Sequence, residues 1–163
     1  MMPKLIFITG APGVGKTELA RRLFTRLHNS AWLDGDDVWR MNPFRVDDST
    51  IALAHSNIES VLRNYLARGF SYVIFSWVMH QQSIIDRIIQ SLEGLEYELF
   101  VFTLVCDDAT LVSRLGSNAT RTKIELAIER LRQSRGIETT KIETTGRQPE
   151  DIAGEILRRV ESP

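Results

Sequence analysis

Short apolar runs alternate along the chain with segments whose apolar positions repeat every three or four residues. Leu5–Ile8 is an uninterrupted apolar run, and Leu19, Leu23 and Leu27 follow at helical spacing. Continuous apolar runs are typical of strands buried on both faces, whereas the wider spacing is typical of amphipathic helices. The pattern therefore predicts alternating strands and helices, which favours an α/β fold with a mostly parallel sheet.

The same pattern continues to the end of the chain. We expect further strands at 31–33, 70–78, 97–105 and 139–144, and further helices at 49–68, 82–92, from 107 or 108 to 115, from about 124 to Gly136, and after Pro149. Asp48 or Ser49 is the expected N-cap of the helix at 49–68, and Gly69 is its expected end. No linker or repeat divides residues 1–163, so we expect a single domain.

Charge and cysteine content narrow the choice of partners and compartment. Lys and Arg total 20 against 21 for Asp and Glu, so the chain has no overall positive field and nucleic acid is not an expected partner. The single cysteine, Cys106, has no internal disulfide partner, which favours a reducing compartment. No apolar run approaches the roughly 20 residues of a membrane span. We expect a cytoplasmic protein without membrane contact, and the sequence indicates no oligomeric state.

A glycine-rich motif follows the first predicted strand and precedes the first helix. It matches G-x-x-x-x-G-K-S/T with Gly10, Ala11, Pro12, Gly13, Val14, Gly15, Lys16 and Thr17. Glycines allow the backbone amides to turn inward around a phosphate, and the start of the helix adds a partial positive charge. Lys16 is expected to neutralise the β- and γ-phosphates, and the Thr17 hydroxyl to bind Mg²⁺. The motif predicts a site for a nucleoside triphosphate with magnesium.

Two acidic residues follow the second predicted strand in the stretch Asp34-Gly35-Asp36. If the chain is still extended there, both carboxylates face one side, next to the glycine-rich loop. We assign Asp34 to magnesium and Asp36 to the attacking hydroxyl, although the two assignments could be exchanged. The alternative is a polar loop in which Asp34 caps a turn and Asp37 begins a short helix.

The third predicted strand ends in Phe75-Ser76-Trp77, without the acid that many phosphate-loop proteins carry there. This absence makes Asp34 and Asp36 the expected acids of the site. Together with the lack of an N-K-x-D sequence, it argues against a motor protein or a switch GTPase.

The glycine-rich loop, the D-G-D stretch and the terminal Ile142-Glu143-Thr144-Thr145-Gly146 resemble the small-molecule P-loop kinases. That group includes gluconate, shikimate and adenylylsulfate kinases and chloramphenicol phosphotransferases. The resemblance implies a three-layer P-loop fold like that of nucleoside monophosphate kinases, with a five-stranded sheet in the order 2-3-1-4-5. It also implies an arginine-bearing lid, here a short one around 115–123, in which Arg114 would contact the nucleotide and Arg121 the phosphates.

The acceptor would then lie beyond the ends of the second and third strands. Arg40, Trp77 and His80 are its expected contacts, with Trp39 and Phe44 as candidate walls. The aromatic residues could equally belong to the core, and His80 could be a surface residue at a helix start.

The leading hypothesis is a kinase that uses ATP and Mg²⁺ to phosphorylate a hydroxyl of a small molecule, such as a metabolite, nucleoside or antibiotic. A polynucleotide 5′-hydroxyl kinase is one alternative, because an acid followed closely by Arg40 resembles that site. A regulatory module that binds ATP without phosphorylating a substrate is the other.

Overall fold

The computed structural model describes residues 2–161. Its strands and helices alternate in the order β1 (Lys4–Gly10), α1 (Lys16–Arg26), β2 (Ser30–Asp34), a 3₁₀ turn (Gly35–Trp39), α2 (Asp48–Arg68), β3 (Tyr72–Ser76), α3 (Gln82–Ser91), β4 (Glu98–Val105), α4 (Asp108–Leu115), α5 (Arg121–Arg135), β5 (Thr140–Glu143) and α6 (Pro149–Glu161). The predicted alternation of strands and helices is confirmed.

The five strands form one parallel sheet in the order β2-β3-β1-β4-β5, as the family resemblance implied. The chain leaves β1 at the centre of the sheet, where connections run to either side. Ligands of open α/β sheets bind at such a reversal point, beyond the carboxyl ends of the strands. The glycine-rich loop begins at this place.

Both faces of the sheet are buried, which gives the three layers. Ile6 and Ile8 of β1 contact one apolar cluster, whereas Leu5 and Phe7 contact a second on the opposite face, and all four are completely buried. The first cluster includes residues of α1, α5 and α6, and the second includes residues of α2 and α3. Each such apolar side chain contributes roughly 1.5–3 kcal/mol on burial, so the centre of the sheet is a rigid base for the loop after β1.

The start of α2 differs from the prediction. Asp47, not Asp48 or Ser49, is the N-cap, and its carboxylate accepts hydrogen bonds from the amides of Ser49 and Thr50 at 3.0 Å each. Thr50 returns the interaction by accepting from the Asp47 amide, which completes a capping box. The expected end at Gly69 is confirmed, since that glycine has a left-handed conformation.

The third strand is shorter than predicted, because the chain leaves the sheet after Ser76. The Met79 amide then donates to the Thr9 hydroxyl, which in turn donates to the Met79 carbonyl. These bonds hold residues 77–80 across the end of β1, beside the glycine-rich loop.

At the predicted lid position, residues 116–120 separate α4 from α5. Within residues 2–161, no helix combines the length and the apolar character needed to cross a membrane.

Candidate active site

The glycine-rich loop forms an open cup between β1 and α1. Gly10 has a φ of 142°, and a Cβ there would lie 2.7 Å from the Leu104 carbonyl oxygen, so only glycine fits. Gly15 precedes α1 with a φ of 108° and provides no side-chain cap to the helix. The first amides of α1 are therefore left for a ligand, as the motif predicts.

Lys16 lies at the bottom of this cup. Its Nζ donates to the Ala11 carbonyl at 2.9 Å. Partial removal from water lowers the pKa of Lys16 to about 8, although the nearby carboxylates of Asp36 and Asp34 act in the opposite direction. The cup opens into a cavity of about 560 Å³, here called the phosphate cavity, which is lined by Pro12, Gly13, Gly15, Lys16, Thr17, Asp34 and Asp36, among others.

Asp34 is tied directly to the glycine-rich loop. Its Oδ2 accepts hydrogen bonds from the Thr17 hydroxyl at 2.9 Å and from the Ser76 hydroxyl at 3.1 Å. The indole Nε1 of Trp32 donates to Ser76 at 3.0 Å and holds that hydroxyl in place. Sequence reasoning missed Ser76 and Trp32, although Ser76 occupies the strand end where related proteins carry an acid.

Asp36 lies next to Lys16 for a different reason from the one expected. The chain does not stay extended through Asp36 but enters the 3₁₀ turn, and Oδ1 of Asp34 caps it by accepting from the Asp36 amide at 3.1 Å. The alternative of a turn capped by Asp34 is therefore correct as to conformation. Both carboxylates nevertheless lie at the phosphate cavity.

The electrostatics of Asp36 suit a proton acceptor. Partial loss of water and the charge of Asp34 raise the pKa of Asp36, while the charge of Lys16 and a hydrogen bond from Trp77 oppose that rise. A carboxylate with a raised pKa is a stronger base than an ordinary aspartate.

The donors at Thr17 and Asp34 fit a magnesium ion. Mg²⁺ prefers oxygen ligands, keeps several waters, and in triphosphate sites is held by one or two protein groups plus phosphate oxygens. The Thr17 hydroxyl and the Asp34 carboxylate are such oxygens, already hydrogen-bonded to each other. No group of three or more His, Cys, Asp or Glu within residues 2–161 is placed to hold a metal ion.

A second cavity, of about 210 Å³, adjoins the glycine-rich loop on the side of α6; we call it the α6 cavity. Arg114 lies in its wall, and its guanidinium donates to the carbonyls of Val14 at 3.1 Å and Thr144 at 2.8 Å. Arg147 and Pro149 line the same cavity and were not predicted. Arg114 thus joins the loop to the segment after β5.

The two arginines assigned to the lid lie in different surroundings. The side chain of Arg121 is 91% exposed, and its Nε donates to Glu125 at 2.8 Å, away from the lining of the phosphate cavity. Lys123, two residues further along α5, does line that cavity. The structure therefore brings Arg114 to the glycine-rich loop, whereas Arg121 is paired with Glu125 outside the cavity lining.

A third cavity, of about 720 Å³, opens beside Asp36; we call it the aromatic cavity. The predicted acceptor contacts Arg40, Trp77 and His80 all line it. The side chain of Arg40 is 81% exposed, and it forms an ion pair with Asp37 at 2.6 Å. Most of the remaining wall is apolar and consists of Trp39, Phe44, Val46, Ile51, Ile84 and Leu126.

Some lining residues were not predicted, because they come from distant segments. His55 of α2 contacts Trp77 edge-on, with ring centroids 5.6 Å apart. Arg130 of α5 is half-buried and lines the aromatic cavity. Its position on α5, four residues after Leu126, is the sequence signal that could have placed both on one face.

Comparison with known proteins places this site in context. Residues 6–146 match the family described as AAA domain. A search of curated protein sequences finds no significant match.

Several solved structures have the same fold. A tunicamycin resistance protein of Deinococcus radiodurans has a TM-score of 0.79 at 22% identity, covering 100% of this chain and 98% of that chain. A gluconokinase from Sinorhizobium meliloti 1021 has a TM-score of 0.72 at 17% identity, covering 98% and 95%. A shikimate kinase from Acinetobacter baumannii, solved with shikimate, has a TM-score of 0.65 at 17% identity, covering 98% and 93%.

At these identities the likeness concerns the fold. The resemblance to small-molecule P-loop kinases is confirmed at that level, since the neighbours include such kinases and the strand order agrees. Because the family match covers most of the chain and includes the phosphate cup and both aspartates, the chain belongs to the AAA domain family and has the fold of P-loop kinases.

Proposed function

We propose that this protein is a kinase that transfers the γ-phosphoryl group of Mg-ATP to a hydroxyl of a small molecule. The observation that carries the proposal is the position of Asp36. Its carboxylate lies where the phosphate cavity meets the aromatic cavity, and Pro12 and Val78 complete the shared wall. A group that takes a proton from an acceptor while facing a triphosphate belongs at this junction.

The phosphate cup would position the donor. Backbone amides at the start of α1 and the Lys16 ammonium would neutralise the β- and γ-phosphates. Thr17 and Asp34 would hold magnesium, which when bound supplies charge neutralisation across the phosphate oxygens. Ser76 and Trp32 keep the Asp34 carboxylate directed at Thr17. The protein's contribution is positioning and electrostatics rather than covalent chemistry.

Asp36 would act on the acceptor. The acceptor oxygen attacks the γ-phosphorus, the bond from that phosphorus to the β,γ-bridging oxygen breaks, and the hydroxyl proton passes to the Asp36 carboxylate. The products are ADP and a phosphate monoester. The raised pKa of Asp36 supports this assignment, because a stronger base accepts the proton more readily.

The α6 cavity is the proposed site of the adenine ring. Arg114 and Arg147 offer planar guanidinium groups, and Pro149 and Ile152 offer apolar surface. Planar cations and apolar walls suit a flat heteroaromatic ring. Hydrogen bonds from Arg114 to Val14 and Thr144 would couple the position of the ring to that of the glycine-rich loop.

The alternatives explain less of the geometry. A regulatory module needs no base at the junction of two cavities. A polynucleotide kinase needs a basic groove, but the wall beyond Asp36 is mostly apolar and the net charge of the chain is −1.

The test is transfer of label from γ-labelled ATP to a pooled library of metabolite alcohols, nucleosides and antibiotics. Asp36→Asn should lower turnover by roughly 100-fold or more while ATP still binds, because the base is lost and the shape is kept. Asp86→Asn is the matched control, since Asp86 accepts a hydrogen bond from Gln82 and lines neither cavity. If no acceptor is labelled while a protein partner changes nucleotide affinity, the regulatory alternative is correct.

The catalytic assignment of Arg121 stays a prediction. Its guanidinium would have to leave Glu125 and turn toward the phosphates as the short connection closes. Lys123 already lines the phosphate cavity, so comparing turnover of Arg121→Ala and Lys123→Ala would decide which cation acts on the γ-phosphate.

A further inference from the structure

The aromatic cavity offers an acceptor little free positive charge. Of its two arginines, Arg40 is engaged by Asp37 at 2.6 Å, and the guanidinium of Arg130 donates to Gln133 at 3.0 Å. Burial lowers the pKa of His55 and of His80, with added repulsion from Arg87 and from Arg130 respectively. Both shifts act against the charged form of the imidazole.

A strongly hydrated acceptor fits this wall poorly. A polyhydroxylated sugar acid would lose its hydrating water against a surface made mainly of tryptophan, phenylalanine and aliphatic side chains. Each polar group buried without a partner costs roughly 1–3 kcal/mol on protein scales. An apolar body would instead gain about 25 cal/mol for each Å² removed from water.

The mouth of the cavity carries the same character out to the surface. Phe44 is 66% exposed, Val46 is 64% exposed and Leu126 is 50% exposed, and all three line the cavity. Phe44 also stands beside Trp39, with ring centroids 6.5 Å apart. Clustered exposed apolar side chains at a cavity mouth are typical of a ligand-binding surface.

We infer that the acceptor is an amphiphilic alcohol or phenol: an aromatic or aryl-alkyl body fills the aromatic cavity and extends to Phe44 and Leu126, while one hydroxyl reaches Asp36. The inference rests on the proposed kinase function. It names the class of acceptor that the wall selects, and it places gluconate-like and shikimate-like acids outside that class. The chemical step is the one given above, with the hydroxyl proton passing to Asp36 and ADP leaving.

The test uses the full chain with Mg-ATP and a panel of defined acceptors. The apolar arm consists of 2-phenylethanol, 4-phenylbutan-1-ol and 2-naphthol, and the polar arm of gluconate, shikimate and a 5′-hydroxyl oligonucleotide. Acceptors of the apolar arm should have a higher kcat/KM than those of the polar arm. Within the apolar arm, acceptors with a larger apolar part should have a higher kcat/KM than smaller ones. Binding is measured separately through tryptophan fluorescence, since Trp39 and Trp77 line the cavity.

Two exposed leucines provide matched variants. Leu126→Ser removes apolar surface from the cavity mouth and should raise KM for the aryl alcohols about tenfold, with ATP affinity unchanged. Leu53→Ser changes an equally exposed leucine of α2 that lies outside the cavity wall, and should leave KM unchanged. Equal effects of the two variants would overturn the inference.

The remaining outcomes separate this inference from the proposed function. Transfer to the polar arm alone would overturn the acceptor class and keep the kinase. Leu126-dependent binding of aryl alcohols without transfer to any acceptor would overturn the kinase function and keep the ligand class. If the aryl alcohols do not bind and no acceptor is labelled, both the acceptor class and the kinase function are overturned.

Discussion

Lys16 titrates in a range that is easily measured. With a pKa of about 8 in the free protein, it begins to lose its charge just above neutral pH. A bound triphosphate favours the charged form and raises the pKa of Lys16 in the complex. ATP affinity should therefore be maximal well below pH 8 and fall as the pH rises above 8. The fall should be up to about tenfold per pH unit until the pKa of Lys16 in the complex is reached.

Calorimetric titration with ATP between about pH 7 and pH 9, in buffers of different ionisation enthalpy, measures this coupling directly, since proton uptake should appear as the pH approaches the pKa of the free protein. Lys16→Arg is the control, because its guanidinium stays charged throughout and whatever affinity it retains should not vary with pH. A wild-type affinity that is constant over this range, without proton uptake, would show that Lys16 does not meet the phosphates.

Ser76 is the second residue whose contacts lead to a measurement. It is 1% exposed and connects the Trp32 indole to the Asp34 carboxylate. Ser76→Ala should destabilise the fold by about 1–3 kcal/mol, because it leaves the indole N–H without its acceptor. It should also raise the Mg²⁺ concentration that gives half-maximal turnover, since Asp34 loses one of its anchors.

Denaturant unfolding and a magnesium titration read these two effects separately. Trp32→Phe is the matched control: it removes the indole N–H but keeps the bond from Ser76 to Asp34, so its effect on magnesium should be smaller. If both variants shift the magnesium requirement equally, Ser76 acts only through general stability.

The contrast between Lys16 and Ser76 shows what a sequence reveals at the level of residues. Lys16 belongs to a local motif, so its position follows from eight consecutive residues. Ser76 acquires its partner only because β2 and β3 pair in a register that places Asp34 beside it. That register depends on the assembled sheet and could not be read from spacing along the chain.

At the level of elements, the turn after β2 requires a glycine, Gly35, for a reason that the sequence alone does not show. Gly35 packs against the Trp77 ring, and a Cβ there would lie 2.3 Å from Trp77 Cγ. The backbone of Gly35 is not in the left-handed region, so the requirement is one of space. Gly35→Ala should displace the 3₁₀ turn that carries Asp36, costing roughly 1–3 kcal/mol in unfolding free energy and most of the turnover.

A double-mutant cycle separates this clash from other effects. Trp77→Ala empties the space, so Gly35→Ala should destabilise the Trp77→Ala background much less than the wild type. Equal costs in the two backgrounds, measured by denaturant unfolding, would mean that the glycine is required for another reason.

Elements with local signals were predicted well, and those set by tertiary contacts less so. The expected end of α2 at Gly69 and the strand–loop–helix around the glycine-rich motif are observed. The cap at Asp47 was missed because three neighbouring polar residues could serve, and only the chain direction before α2 selects one. The predicted extension of β3 to Val78 failed because the Met79 backbone pairs with the Thr9 hydroxyl instead of continuing the backbone ladder with β1.

At the level of the whole molecule, the proposed donor and acceptor sites meet at Asp36. The phosphate cup of the donor side consists of consecutive residues before and at the start of α1, which is why it could be predicted. The proposed acceptor side combines the 3₁₀ turn and the loop after it with α2, the segment after β3, α3 and α5. Its apolar character became visible only when these segments were folded together, since each one alone resembles an ordinary amphipathic stretch.

This construction predicts how strongly the nucleotide stabilises the fold. The cup exists only when β1, α1 and the Asp34 turn are assembled, so Mg-ATP should bind the folded chain and not the unfolded one. At a concentration 100 times its Kd, ATP would add about 2.7 kcal/mol. For a chain of this size, that raises Tm by roughly 5–10 °C. Scanning calorimetry with Mg-ATP should show this shift in the wild type and in Asp36→Asn, and none in Lys16→Ala. A full shift in Lys16→Ala would show that the nucleotide binds away from the cup. The assignments made for Asp36 would then be overturned as well.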